Sequence, residues 1–403
     1  MTGSNSLTKY QPQRLLAIAK KEGTSVIIVS IQYRLGPFGF AASNDLLTEA
    51  SAINGHSLDV PLAGSYGFID QRNAFEWVRD HISDFGGDPN NVTAFGISAG
   101  SSTIYSHLLS GSPLFDRAIM MSGAGPTLGP FPLKAHERPW QKFCKNAGAQ
   151  EDNGISRVNH LRSLSAEEVI KLYPLSAMGP WADGKLLPSS LRYAHKYIPN
   201  RCKTIILGDT HVEGIIFDRI SQVVSQVQFS NLVDEIFAPE DGEAFRKYFG
   251  FTSVELPQDS YRDALRRFLG IMMFQFPNLG VAKSFTGDAH YYHFEEPSPY
   301  PGPTFGLAYH GQCAMYMYNS ESHTYSEGGR RIAEELARLW TGFAYGKRPW
   351  EPYLKAEGFM RFGPEGEIVM TDMKHDKTRD YGYVTWLEQH FEEVKEFTLR
   401  LFG

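Results

Sequence analysis

One serine in this sequence stands where a nucleophile could be made. The stretch "VTAFGISAGS" (Val92 to Ser101) holds Gly96-Ile97-Ser98-Ala99-Gly100, a G-x-S-x-G. That motif carries chemistry only when an apolar strand precedes it and a helix follows it. "VTAFGI" reads as the strand and "SAGSSTIYSHLLS" as the helix. The glycines allow a strained turn that lifts Ser98 clear of the sheet. The helix starting there aims its unbonded N–H groups and the positive end of its dipole at the serine oxygen. The Ala99 N–H is then a donor for an oxyanion forming on a bound carbonyl.

A serine hydroxyl is a poor nucleophile until a base takes its proton, and an acid must hold the base. In a parallel-sheet setting the order is serine, acid, histidine, each on a loop after a strand. The strand "TIILGD" (Thr204 to Asp209) runs into "THVEG", which offers Asp209 and Glu213. Glu213 is preferred because it lies further out on the loop; Asp209 is the runner-up. The strand "AHYYHFE" (Ala289 to Glu295) leads to a loop ending in "GLAYHGQC", which offers His310. His290 and His293 fall within the strand pattern. His81 falls on the apolar face of a helix. His211 is a rival base on the acid's own loop.

The elements that must hold these residues follow from periodicity. "SVIIVSIQY" (Ser25 to Tyr33) is nearly continuous in β-branched residues, as in a strand buried on both faces. From Asp70, Ala74, Trp77, Val78, His81, Ile82 and Phe85 repeat at helical spacing until Gly86-Gly87. "RAIMMSG" reads as another buried strand. Ile332, Leu336, Leu339, Trp340 and Phe343 mark one late helix, and Val384, Leu387, Phe391, Val394 and Leu401 mark a second. Strands alternating with helices predict an α/β fold with a mainly parallel sheet covered on both faces. No linker divides the chain, so one domain over residues 1–403 is expected.

The 403 residues are 42% hydrophobic with net charge −6 and no Lys/Arg block, which argues against nucleic acid or an acidic membrane as partner. The longest apolar run, Val26 to Ile31, is too short to span a bilayer. "MTGSNSLTKY" lacks the charged-then-apolar pattern of a leader. Cys144, Cys202 and Cys313 are odd in number and far apart, as expected of buried free thiols in a reducing compartment. A cytoplasmic location is therefore favoured, with secretion open if the N-terminus is incomplete. Oligomeric state is not legible.

The chain resembles the type-B carboxylesterase/lipase family, which includes the cholinesterases. The resemblance lies in "VIIVSIQYRLGPFGF", "DQRNAFEWVRDHISDFGGDPNNVTAFGISAGS", "RAIMMSG", "WADGKLLP", "ILGDTHVEGIIF", "GLAYHGQ" and "LARLWTGFAYGKRPWEPY", in the family's order. It implies an α/β-hydrolase fold and a serine hydrolase of small-molecule carboxylic esters. Ser98 would be the nucleophile, Glu213 the acid, His310 the base and Ala99 an oxyanion donor. No metal or organic cofactor is called for. The details look most like members from filamentous fungi. Acyl transfer in a tailoring step of secondary metabolism would use the same residues. A catalytically impaired or non-catalytic binding protein is the other alternative. Trp181, Phe217, Tyr309 and "AMYMY" (Ala314 to Tyr318) could line an apolar pocket, although core packing explains each as well.

Three departures from the family carry expectations of their own. The family has an acidic residue where Ile97 stands, so the electrostatics near the histidine should differ. It often has a disulfide in the stretch holding Cys144, but His160 occupies the other position, so no bridge is expected. Family members also begin earlier, with a strand ending in a His-Gly-Gly loop that supplies further oxyanion N–H groups. In this sequence Met1 falls just after that loop. The resemblance then implies either a coding region that starts further upstream or a protein of reduced or altered activity, with an incomplete sheet beside the nucleophile strand. The sequon Asn91-Val92-Thr93 enters a buried strand and is read as structural.

Overall fold

The computed structural model describes residues 7–54, 64–150, 153–174, 179–189, 201–252 and 255–401. Its centre is a six-stranded sheet whose spatial order equals the chain order, β1 to β6. The strands are β1 (Thr93–Ile97), β2 (Arg117–Met121), β3 (Thr204–Thr210), β4 (Asp288–Phe294), β5 (Phe359–Phe362) and β6 (Ile368–Thr371). The first five are parallel and β6 is antiparallel to β5. Parallel neighbours need crossovers, and long helical connections provide them. This is the expected mainly parallel α/β-hydrolase sheet.

Alternation along the strands sends side chains to two separate cores. Ala118, Met120, Ile205, Leu207 and Tyr291 enter one, packed with Phe245, Phe268 and Phe397. Ile119, Met121, Ile206, Tyr292 and Phe294 enter the other, under Leu336, Trp340 and Phe343 of the Glu327–Ala344 helix. Because both faces are covered, the middles of the central strands are apolar, as in Ala118–Met121 and Ile205–Leu207. That is why β1 to β4 were legible as short apolar runs.

Three expectations are corrected. Ser25–Tyr33 forms no regular element and adds no strand to the sheet, and Ile27 and Val29 lie 46% and 39% exposed. A run of β-branched residues signals extended backbone; it does not say that both faces are covered. The Asp70 helix begins earlier, as Tyr66–His81, and ends in a 3₁₀ turn, Ile82–Phe85. Its buried face holds Phe68, Gln71 and Val78. Trp77, His81 and Phe85 point outward and pack on one another, the Trp77 ring 5.2 Å from that of His81 and 6.0 Å from that of Phe85. The helical period holds and Val78 and Ile82 of the stripe are buried, but Trp77, His81 and Phe85 are not. The late helix also breaks at His390, into Val384–Gln389 and Phe391–Leu401.

Candidate active site

Ser98 lies at the junction of β1 and the Ala99–Leu109 helix, with φ 55° and ψ −116°. A non-glycine residue with positive φ is strained and persists only where its surroundings impose it. Here the neighbours do so. The Ser98 N–H donates to the Met121 carbonyl at 2.8 Å, fixing the turn to the end of β2. A Cβ on Gly96 would fall 2.8 Å from the Gly100 carbonyl carbon, and one on Gly123 would fall 2.4 Å from the Ser98 carbonyl oxygen. Both glycines are therefore required by close approach of backbone to backbone. The Ser98 hydroxyl does not cap the helix. The earliest helical hydrogen bond runs from the Ser102 N–H to the Ser98 carbonyl, at 2.9 Å. The N–H of Ala99, ahead of it, has no partner within the helix.

Glu213 is fully buried at the start of a short 3₁₀ turn after β3. One carboxylate oxygen accepts the Thr210 N–H at 2.7 Å, and the other pairs with His310 Nδ1. Its loop is pressed against a neighbouring helix, where a Cβ on Gly214 would collide with the Arg266 carbonyl oxygen. The loop carrying His310 lies beside it through a parallel bridge of Val212 with Tyr309, the Val212 N–H donating to the Ala308 carbonyl at 2.8 Å. Buried Gln312 ties that loop down: its side chain accepts the Tyr309 N–H at 3.1 Å and donates to the Glu296 carbonyl at 3.1 Å. The His310 side chain is 10% exposed. Gly311 then turns the chain with φ 93° and faces Ile97, its Cβ direction ending 3.8 Å from Ile97 Cδ1. The residue after the histidine thus lies against the residue before the serine.

The rival residues are engaged elsewhere. Asp209, fully buried, accepts from His293 Nδ1 at 2.8 Å, from the Tyr291 hydroxyl at 2.8 Å and from Arg379 at 2.5 Å. Burial pushes its carboxyl up, but the charges of His293 and Arg379 together outweigh that and hold it well below the usual carboxylate range. His211 pairs with Glu295 at 2.5 Å. His290 is buried between Phe343 and Trp350, and burial lowers it to about 4. His81 is exposed, not on a buried apolar face.

Ile97 presents a hydrocarbon side chain where a second carboxylate was missing. Cys313, three residues after His310, is buried, and burial pushes its thiol up to about 12, leaving it neutral at ordinary pH. Glu213 is the carboxyl group in contact with the imidazole. All three cysteines are buried and free. Among the pocket candidates, Ala314, Met315, Tyr316 and Met317 are buried in the Gln312–Tyr318 helix. Trp181, Phe217 and Tyr309 are half-buried. The sequence reading missed Phe274 and Gln275, which touch the His310 ring and the Glu213 loop; the available signal was Pro277 inside an apolar helical run. Among the described residues, no helix is long and apolar enough to cross a membrane.

Relatives place the same features in a wider setting. The chain is 27% identical to Lipase 3 of Yarrowia lipolytica over 359 residues, covering 85% of this chain and 64% of that protein. It is 28% identical to the cholinesterase of Mus musculus over 382 residues, covering 85% and 59%. It is 26% identical to the bile salt-activated lipase of Homo sapiens over 375 residues, covering 82% and 47%. The chain thus spans less than two thirds of the length of these relatives. The model of the carboxylesterase family matches residues 1–381, a stretch that includes every strand and each residue of the serine, glutamate and histidine loops. On that match, this chain belongs to the carboxylesterase family.

Proposed function

We propose that the chain is a serine hydrolase that cleaves carboxylic esters of small molecules through an acyl-enzyme. The observation that carries the reading is the buried Glu213–His310 pair delivered beside the strained Ser98 turn, with Gly311 against Ile97. His310 takes the Ser98 hydroxyl proton through Nε2 as the serine oxygen attacks the acyl carbon. Glu213 keeps Nδ1 protonated and stabilises the imidazolium. The Ala99 N–H donates to the oxyanion of the tetrahedral intermediate. The ester C–O bond then breaks, and the alcohol leaves with the proton from His310. Water attacks the acyl-enzyme, giving its proton to the same histidine. The carboxylic acid leaves as Ser98 regains its proton.

Ser98→Ala tests this directly. Turnover of p-nitrophenyl esters should fall by at least about 10⁴-fold, with thermal unfolding unchanged, and a fluorophosphonate probe should label the parent protein at Ser98 but not the variant. Equal turnover by both proteins would disprove the reading.

A further inference from the structure

The Gln258–Gly270 helix does not run regularly into the next, Phe276–Ser284; between them Ile271–Gln275 widens into a π turn. The cause can be read from the sequence. Pro277 lies inside the helical run. It has no N–H for the carbonyl four residues earlier, that of Met273, and its ring crowds that carbonyl. The Met273 carbonyl instead accepts from the Thr127 hydroxyl at 3.0 Å. Gly125, with φ 104°, makes room for the proline, since a Cβ there would lie 2.6 Å from Pro277 Cβ. Turns of this type are rare and frequently lie at functional sites.

The widened turn touches both halves of the acid–base pair. Phe274, 1% exposed, sets its ring 4.7 Å from the His310 ring at 48°. The Gln275 amide donates to the carbonyls of Thr210 at 3.1 Å and His211 at 3.0 Å. These residues lead into Glu213, and the Thr210 N–H is the group that bonds the Glu213 carboxylate. Gly270, just before the turn, lies against Glu213, its Cβ direction ending 3.4 Å from Glu213 Cβ.

We propose that this proline-made π turn is the positioning device of the Glu213–His310 pair. Phe274 and Gln275 are its positioning residues. Phe274 limits rotation of the imidazole, and Gln275 sets the height of the acid loop. Their contacts are with the acid–base pair and its loop, so on this proposal their effect falls on the chemical step. The proposal rests on the hydrolase reading above.

The test uses the full chain as wild type, Phe274→Leu, Phe274→Tyr, Gln275→Leu and Pro277→Ala. Values of kcat and KM for a p-nitrophenyl ester are measured separately, with fluorophosphonate labelling and thermal unfolding alongside. Phe274→Leu and Gln275→Leu should lower kcat by about 10- to 100-fold, as small misplacements of catalytic groups do. KM should move by less than about two-fold. Phe274→Tyr, which keeps the ring, should retain more activity than Phe274→Leu. Pro277→Ala lets the helix regularise and should lower kcat in the same way while unfolding stays cooperative. If one variant fails to fold, the others carry the comparison. Unchanged kcat in the folded variants, or a loss confined to KM, would overturn the proposal alone. A wild type that neither turns over ester nor labels at Ser98 would overturn the hydrolase reading and this proposal with it.

Discussion

Two of the three imidazole–carboxylate pairs at the ends of β3 and β4 share the same chemistry but differ in their surroundings. His310 and Glu213 meet on loops beyond the strands, with the histidine 10% exposed and the serine turn beside it. His293 and Asp209 are cross-strand partners in the parallel register of β4 and β3, 2% and 0% exposed. What separates them is a guanidinium. Arg379, 6% exposed, bonds Asp209 on one side and Glu295 on the other, both at 2.5 Å. Burial first, and Arg379 second, hold His293 below its ordinary range. Among the described residues Glu213 has an ion pair with His310 and none with an arginine or lysine. An acid–base pair is therefore defined less by its two residues than by the third charge beside them and by access to solvent.

The comparison can be broken most sharply at the pair proposed to act in catalysis. Glu213→Gln keeps the shape of the side chain but removes the carboxylate that, on the proposed mechanism, fixes the imidazole tautomer. Ester turnover should fall by about 10⁴-fold with little change in unfolding temperature. The sealed pair should respond in the reverse sense. Arg379→Met leaves two buried carboxylates uncompensated, and urea unfolding should show a loss of about 3–5 kcal/mol. The kcat of the protein that remains folded should change far less. Equal behaviour of the two variants would erase the distinction.

Acid sharpens it further. Burial lowers His136 and His290 to about 4 and His107 to about 3, and His293 is lowered as well. A histidine whose folded pKa lies below its unfolded value of about 6.5 stabilises the fold above that value. The contribution is lost as pH falls toward the folded pKa. Stability should therefore decline from about pH 6.5 to 4, by at most about 1.4 kcal/mol per pH unit for each such histidine. Asp209 adds its own loss only below about pH 4, because its folded pKa is depressed. His136→Phe should flatten the upper slope by one histidine's share in urea titrations at stepped pH. The smallest effect belongs to the rim of the sealed cluster. His211 is 43% exposed, so His211→Gln should cost less than about 1 kcal/mol and leave turnover unchanged.

What the sequence made legible was the part governed by burial on both faces. β1 to β4 lie within a residue or two of their apolar runs, because parallel strands under two helical layers must be apolar through their middles. The β5–β6 hairpin was missed. Its strands are four residues each, with interior positions only partly buried, so neither period stands out. Ser25–Tyr33 misled because β-branched residues favour extended backbone whether or not another strand lies alongside. At the site, position on the loop separated the two acids. Asp209 still belongs to β3 and points into the interior, whereas Glu213 is past the strand end and meets His310. The contacts of Phe274 and Gln275 were invisible because one proline decides them through helix geometry, without a pattern of its own.

Arg379 also sets an order of events during synthesis. It lies beyond β6, 170 residues after Asp209, yet the two acids that it neutralises are at the ends of β3 and β4. A nascent chain that has emerged only as far as β6 carries Asp209 and Glu295 without their counter-charge. The tips of the two central strands should then stay open until residue 379 clears the ribosome, and proteolysis of stalled chains of graded length should show protection there arriving late.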